Sequence, residues 1–256
     1  MLQQNSLIKA ADLLSKSSFT VAFTGAGISV ESGIPPFRGP GGIWNQYDPK
    51  VLDLNYFHLH PQESWIVIKE IFYDFFQNIE PNPAHKTLAL WESQNSVNVV
   101  ITQNIDHLHQ KAGSQNVIDF HGNAHRLVCL SCHWKTEDFQ SLLKNLPPLC
   151  PKCGEILKPD FVFFGENIPQ LAYQNAFEAA QKAEVFIIIG TSGEVSPANQ
   201  IPVIAKQNGA VIIEINNDKS LYTNNLTDIY LSGKASEILL ALQHIINENN
   251  KNHYHA

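Results

Sequence analysis

Apolar positions follow two different periods along this chain. Residues 6 to 16 carry them at helical spacing and predict an amphipathic helix. Phe19 to Phe23 is a short β-rich run that ends in Thr24-Gly25-Ala26-Gly27. Four further runs, Val97–Thr102, Val117–Phe120, Val185–Gly190 and Val211–Asn216, are continuous in Val and Ile rather than alternating with polar residues. Such runs read as strands buried on both faces, and the stretches between several of them, 170 to 183 and 197 to 208 for example, read as helices. The pattern predicts an α/β fold: a Rossmann-like parallel sheet with helices on both faces.

Two stretches break that rhythm. Residues 45–80 are aromatic-rich, with Trp65, Ile68, Phe72, Phe75 and Phe76 on helical spacing, which reads as an apolar face packed on a core. Residues 125–158 are too short to build a hydrophobic core of their own. Both read as insertions forming a small domain, a helical module (45–80) and a cysteine-bearing module (125–158). Residues 1–44, 81–124 and 159–246 are left to the sheet domain. The polar stretch 247–256 reads as a frayed tail, and no internal repeat is present.

The second insertion holds every cysteine of the chain, as Cys129-x2-Cys132 and Cys150-x2-Cys153. Paired C-x2-C knuckles at this separation match a four-thiolate zinc ribbon, and a closed tetrahedron of sulfurs is a structural site rather than a catalytic one. Gly154 can supply the positive φ that such turns use. The competing reading is two disulfides. The amphipathic start of the chain is unlike a signal segment and favours a reducing cytoplasm, hence zinc.

Charge narrows the partners. The net charge is −7, and Arg38 and Arg126 are the only arginines, so the chain lacks the basic footprint of a nucleic-acid binder. Cationic peptides are electrostatically better matched. The longest apolar runs, Val185–Ile189 and Val211–Ile215, are strand-sized, so no membrane span is expected.

Four segments at predicted strand ends carry the candidate chemistry. They are Gly25 to Gly39, Thr102 to Asp106, Phe120-His121-Gly122 and Gly190 to Gly193. Ligands of open α/β sheets bind at the carboxyl ends of strands, where these turns would meet. Glycine turns, an amide-rich acidic turn, a lone arginine and a strand-end histidine suit an anionic, polyhydroxylated ligand. Each has a plainer alternative. His121 can be satisfied by backbone, Asp106 can cap the following helix, and Arg38 can form a surface ion pair. His85, His107 and His109 read as structural, and Glu31 has no evident role.

The motifs GAGISVESGIPPFRG, TQNIDHLHQKAG, HGN before the four cysteines, VFFGE, GTSGEV and Glu214-Ile215-Asn216 occur in this order from about residue 19 to 236. In order and spacing they resemble those of sirtuins, the NAD-dependent protein-lysine deacylases, in a compact bacterial-type form. The resemblance implies NAD, consumed as co-substrate, and one structural Zn2+. Gly25, Ala26 and Gly27 resemble the pyrophosphate turn, and Phe37 and Arg38 the flexible loop over the reacting ribose. Gln103, Asn104, Ile105 and Asp106 resemble the lining of the ribose and nicotinamide pockets. Gly190, Thr191, Ser192, Asn216 and Ala235 resemble contacts to the adenosine half and phosphates. Val162, Phe163, Phe164, Gly165 and Glu166 on one side, with Gly193, Glu194 and Val195 on the other, resemble the strands that clamp an acylated-lysine peptide. His121 resembles the base that activates a ribose hydroxyl after the acyl oxygen has captured C1′ and nicotinamide has left. An imidazole suits that task near neutral pH. The products would be free lysine, nicotinamide and O-acyl-ADP-ribose.

Sirtuins that prefer acidic acyl groups carry a Tyr-x-x-Arg pair in the helical module. Alignment on Trp65 and Pro81-Asn82 puts Ile68 and Ile71 there, and 45–80 contains no arginine. A succinyl carboxylate would be buried unpaired, so neutral acyl groups are expected. The expectation is thus a monomeric, cytoplasmic NAD-dependent deacetylase. The alternatives are a mono-ADP-ribosyltransferase, in which an acceptor side chain captures C1′, and a non-enzymatic NAD sensor.

Overall fold

The computed structural model describes residues 2–37, 41–76 and 78–254. In chain order the elements are α1 (Leu2–Lys16), β1 (Thr20–Thr24), α2 (Leu54–Leu59), α3 (Pro61–Lys69), α4 (Pro83–Ser93), β2 (Val99–Thr102), α5 (Leu108–Ala112), β3 (Val117–Asp119), β4 (Gly122–Cys129), β5 (Lys135–Thr136), β6 (Leu157–Phe161), α6 (Gln170–Lys182), β7 (Val185–Ile189), α7 (Ile201–Gln207), β8 (Val211–Asn216), β9 (Ile229–Ser232) and α8 (Ala235–Tyr254).

Six strands form one parallel sheet in the order β3-β2-β1-β7-β8-β9, the doubly wound arrangement in which the strand order reverses between β1 and β7. Period-2 geometry divides its side chains. Ala22, Val100, Ile187 and Ile213 face a core covered by α1, α4 and α8, while Val21, Phe23, Ile101, Phe186, Ile188 and Ile212 face α6 and α7. Burial on both faces is why these strands read as continuous apolar runs. The strand β9 and the helix α8 were not marked in the sequence, and α8 runs on to Tyr254 through the stretch expected to fray. Each added helical residue gains a backbone bond, and Gln243 donates to Asn247 at 2.8 Å.

The two insertions share a single core. Trp65, Ile68 and Phe72 of the first pack with Leu127, Cys129, Phe139, Leu157 and Phe161 on or around the antiparallel sheet β5-β4-β6. Trp65 Nε1 donates to Leu157 O at 2.8 Å, which joins them through a buried hydrogen bond. The helical spacing of residues 65–76 is interrupted by a π-turn at Glu70–Asp74. The extra residue buries Ile71, Phe72 and Tyr73 in succession and turns Phe75 outward, 54% exposed. A 3.6-residue count placed Phe75 inside. Among the described residues, no helix is long and apolar enough to cross a membrane.

Candidate active site

The site forms where β1 and β7 end side by side. Gly25 N–H donates to Ile189 O (3.0 Å) and Gly27 N–H to Gly190 O (2.8 Å), so the two glycine turns lie backbone against backbone. A Cβ on Gly190 would stand 2.4 Å from Ile28 N, and one on Gly27 would stand 2.7 Å from the Gly190 Cα. Only glycines allow this approach, which brings both turns to the crevice at the reversal point.

Above it opens a cavity of about 910 Å³, at the upper end of the range for ligand sites. It gathers most of the residues anticipated from the sequence. Gly25, Ala26, Gly27, Phe37, Gln103, Asn104, Ile105, Gly190, Thr191, Ser192, Asn216 and Ala235 line it, as do His121, Val162 to Glu166, Glu194 and Val195. Three anticipated residues differ. Gly193 does not line it; its Cα packs on the ring of Tyr222. The Asp106 carboxylate lies behind the wall, accepting from Ser29 Oγ (2.6 Å) and Leu108 N–H (3.0 Å). Arg38 lies outside the described residues.

His121 sits at the β3–β4 turn with Nδ1 3.0 Å from Gln103 O. A carbonyl only accepts, so Nδ1 carries the proton and Nε2 is left with its lone pair. Burial lowers the pKa of this imidazole below 6.5, the bond to Gln103 opposing the shift in part. Burial raises that of Asp106, against the hydrogen bonds from Ser29 and Leu108. Behind the wall, His85 and His109 lie 4.9 Å apart, and Thr24 Oγ1 is 2.9 Å from His109 Nε2, in line with a structural role.

Three supporting residues take roles that sequence reasoning did not assign. Lys158 is buried on β6, and its ammonium reaches Pro159 O (3.0 Å), Phe161 O and the Glu166 carboxylate (2.9 Å). It thereby ties down the segment that runs along the cavity. Glu214 is fully buried and accepts from Asn216 Nδ2, Ser220 Oγ, Thr223 Oγ1 and Thr227 Oγ1, gathering the loop after β8. Glu31 accepts from Ser236 N–H in the first turn of α8 (3.0 Å). A lysine inside an apolar stretch was the available signal for Lys158; the other pairings appear only on folding. Ile68 and Ile71, placed by alignment at the acyl pocket, are buried in the second core and do not line the cavity. Its apolar wall includes Phe37, Trp44, Leu52 and Phe161.

The cysteines converge as the spacing predicted. Their four Sγ atoms lie within 4.8 Å of one another, with Cys129–Cys153 at 3.5 Å and Cys132–Cys150 at 3.6 Å. A tetrahedron with metal–sulfur bonds of about 2.3 Å has edges of about 3.8 Å, so the donor set fits zinc. The knuckles close alike: His133 N–H donates to Cys129 O and Gly154 N–H to Cys150 O, both at 2.9 Å. Gly154 has φ +81, and His133 takes the same left-handed role with φ +59. None of the four is in a disulfide.

A doubly wound sheet, a crevice at its reversal point and a thiolate-stapled insertion define a protein with an α/β dinucleotide-type site. A family model described as the Sir2 family matches residues 25–197. The chain belongs to the Sir2 family. It is 46% identical over 235 residues to NAD-dependent protein deacetylase 1 of Pyrobaculum aerophilum, covering 91% of this chain and 92% of that one. It is 44% identical over 237 residues to the NAD-dependent protein deacylase of Pyrococcus furiosus, covering 90% and 94%. Among solved structures it resembles a mutant Sir2 homologue in complex with ADP-ribose, with TM-score 0.89, 39% identity and 95% and 97% coverage. It also resembles a Sir2 complex with a p53 peptide and NAD+, with TM-score 0.83, 36% identity and 94% and 98% coverage.

Proposed function

We propose that the protein is an NAD-dependent protein-lysine deacylase, with His121 as its base. The observation that carries this reading is the shared cavity. The His121 imidazole, oriented by Gln103 O, opens onto the same space as the glycine turns after β1 and β7 and the 162–166 and 194–195 segments. NAD, when bound, supplies an electrophilic ribose C1′ with nicotinamide as its leaving group.

The chain's own residues divide the remaining work. The turns at 25–27 and 190–192, with Asn216 and Ala235, hold the adenosine diphosphate half. Gln103, Asn104 and Ile105 line the ribose and nicotinamide end, Asp106 supports that wall through Ser29, and Phe37 excludes water. His121 Nε2 accepts the proton of a ribose hydroxyl, and Nδ1–H stays on Gln103 O throughout. Val162–Glu166 and Gly193–Val195 take an extended peptide between them by main-chain pairing. The lysine amide C–N bond is broken with the uptake of one water, and the products are free lysine, nicotinamide and O-acyl-ADP-ribose. The apolar wall of Phe37, Trp44, Leu52 and Phe161 offers an acyl carboxylate no partner, which favours acetyl and other neutral chains. Unbonded cysteines suit a reducing cytoplasm, and the reading is of a monomer with no nucleic-acid or membrane partner.

The test is whether nicotinamide release depends on an acylated peptide. Turnover with acetyl-lysine peptide and NAD, yielding equal amounts of nicotinamide and deacylated peptide, supports the proposal. Labelling of an unacylated acceptor from adenylate-labelled NAD would instead make the protein a mono-ADP-ribosyltransferase. Faster removal of succinyl than acetyl would refute the pocket argument.

A further inference from the structure

We infer that Glu194 selects substrates by charge, favouring peptides with a lysine or arginine close to the acylated lysine. The inference rests on the deacylase reading and adds a specificity to it. Glu194 is exposed and lines the cavity at the segment assigned to peptide clamping. Its backbone is held on both sides. Leu221 N–H donates to Ser192 O (3.0 Å), and Asn199 N–H donates to Val195 O (2.9 Å). At Gly193 the chain takes φ +81 and packs so closely that a Cβ would lie 2.8 Å from Tyr222 Cε2. The carboxylate is therefore presented from a fixed main chain.

Among the described residues the charge of Glu194 is uncompensated. No hydrogen bond or ion pair engages its side chain among the described residues. The other carboxylate on the clamp, Glu166, is answered by Lys158 at 2.9 Å and by Phe163 N–H at 2.6 Å. Among the described lining residues the one lysine is Lys219, in the loop after β8 beside Asp218, and there is no arginine. Of the two carboxylates on the clamp, Glu194 is thus the one without a cation partner among the described residues, in a chain of net charge −7. In an extended peptide, alternate side chains point to opposite faces. With the acyl-lysine directed inward, its neighbours project at the rim, and the long stem of a lysine or arginine brings its cation to Glu194.

The test uses acetyl-lysine peptides that carry Lys, Ala or Glu at each of the two positions on either side, one position at a time, with nicotinamide release as the readout. For the wild type, kcat/KM at one or more positions should follow Lys > Ala > Glu, with about two- to fivefold between Lys and Ala, as for an exposed ion pair. The preference should shrink as salt rises. In Glu194→Gln the Lys-to-Ala ratio should fall to about one, and in Glu194→Lys it should invert. Using ratios cancels any general effect of the substitution on the clamp. If Glu194→Lys does not fold, the ratio in Glu194→Gln decides. A wild type indifferent to flanking charge, or a ratio unchanged in Glu194→Gln, overturns the inference and leaves deacylation standing. Failure to turn over even the all-Ala-flanked acetyl peptide overturns the deacylase reading and this inference with it.

Discussion

The main-chain oxygen of Gln103 fixes the tautomer of His121 from 3.0 Å. The pair links the end of β2 to the turn before β4, so two strands of different sheets meet at the imidazole. One consequence is a pH dependence with a defined sign. A general base works in its neutral form, and burial lowers the pKa of His121 below 6.5. The acid limb of the kcat/KM profile should therefore lie below pH 6.5, with activity undiminished from there to neutrality. His121→Ala should reduce kcat by about 10²–10⁴-fold. A folded variant at the wild-type rate would remove His121 from the mechanism.

Lys158 and Glu166 give a second expectation. Burial pushes the Lys158 pKa below its ordinary value, and the Glu166 carboxylate 2.9 Å away works in the opposite direction. Glu166→Gln takes the counter-ion from a buried ammonium, a loss of about 3–5 kcal/mol, whereas Lys158→Met leaves a half-buried carboxylate that keeps Phe163 N–H and costs less. Lys158→Met should thus lower the melting temperature and raise KM for the peptide more than for NAD, because the segment it anchors lines the cavity on the side proposed for the peptide. The double variant Lys158→Met/Glu166→Gln should lose less stability than the single losses added together. Strict additivity in thermal denaturation would mean that the two groups do not interact.

Much of this architecture was legible from residues that act locally. Val and Ile runs named the central strands because those strands are buried on both faces, and the cysteine spacing named the metal site because the knuckles are local turns. The glycine turns and His121 were legible from motif order, and they meet in one cavity. Long-range pairings stayed hidden. Glu31 meets Ser236, and Trp65 meets Leu157, across separations that no local pattern encodes. The π-turn at Glu70–Asp74 defeated a 3.6-residue count by inserting one residue.

The buried histidines make stability depend on pH. Desolvation lowers the pKa of His85 from 6.5 to about 4, and that of His109 in the same direction. In the unfolded chain both take up protons near pH 6.5. Between about pH 4 and 6.5 the unfolded state therefore binds more protons, so stability rises with pH across that window and is fully present above it. For His85 alone the span is on the order of 3 kcal/mol. Urea denaturation at several pH values from 4.5 to 7.5 should show this slope, and His85→Gln should flatten part of it. An equal slope in the variant would assign the acid sensitivity elsewhere.

Removing the metal tests how the small module supports the site. Cys129 and Cys150 are buried in the core that also holds Trp65, Phe72, Phe161 and Phe163, and Phe163 lines the cavity. A metal held by four thiolates that only folding brings together contributes its binding energy to the fold. Chelation, or Cys129→Ser, should loosen β4–β6 and the cavity wall at Phe163 together. The parallel sheet has separate cores on its two faces and should persist. The expected result is loss of peptide turnover with most of the helical circular dichroism retained, a change in tryptophan emission from Trp65, and recovery when zinc is restored. Full turnover by protein shown to be metal-free would break the link between the thiolate cluster and the active site.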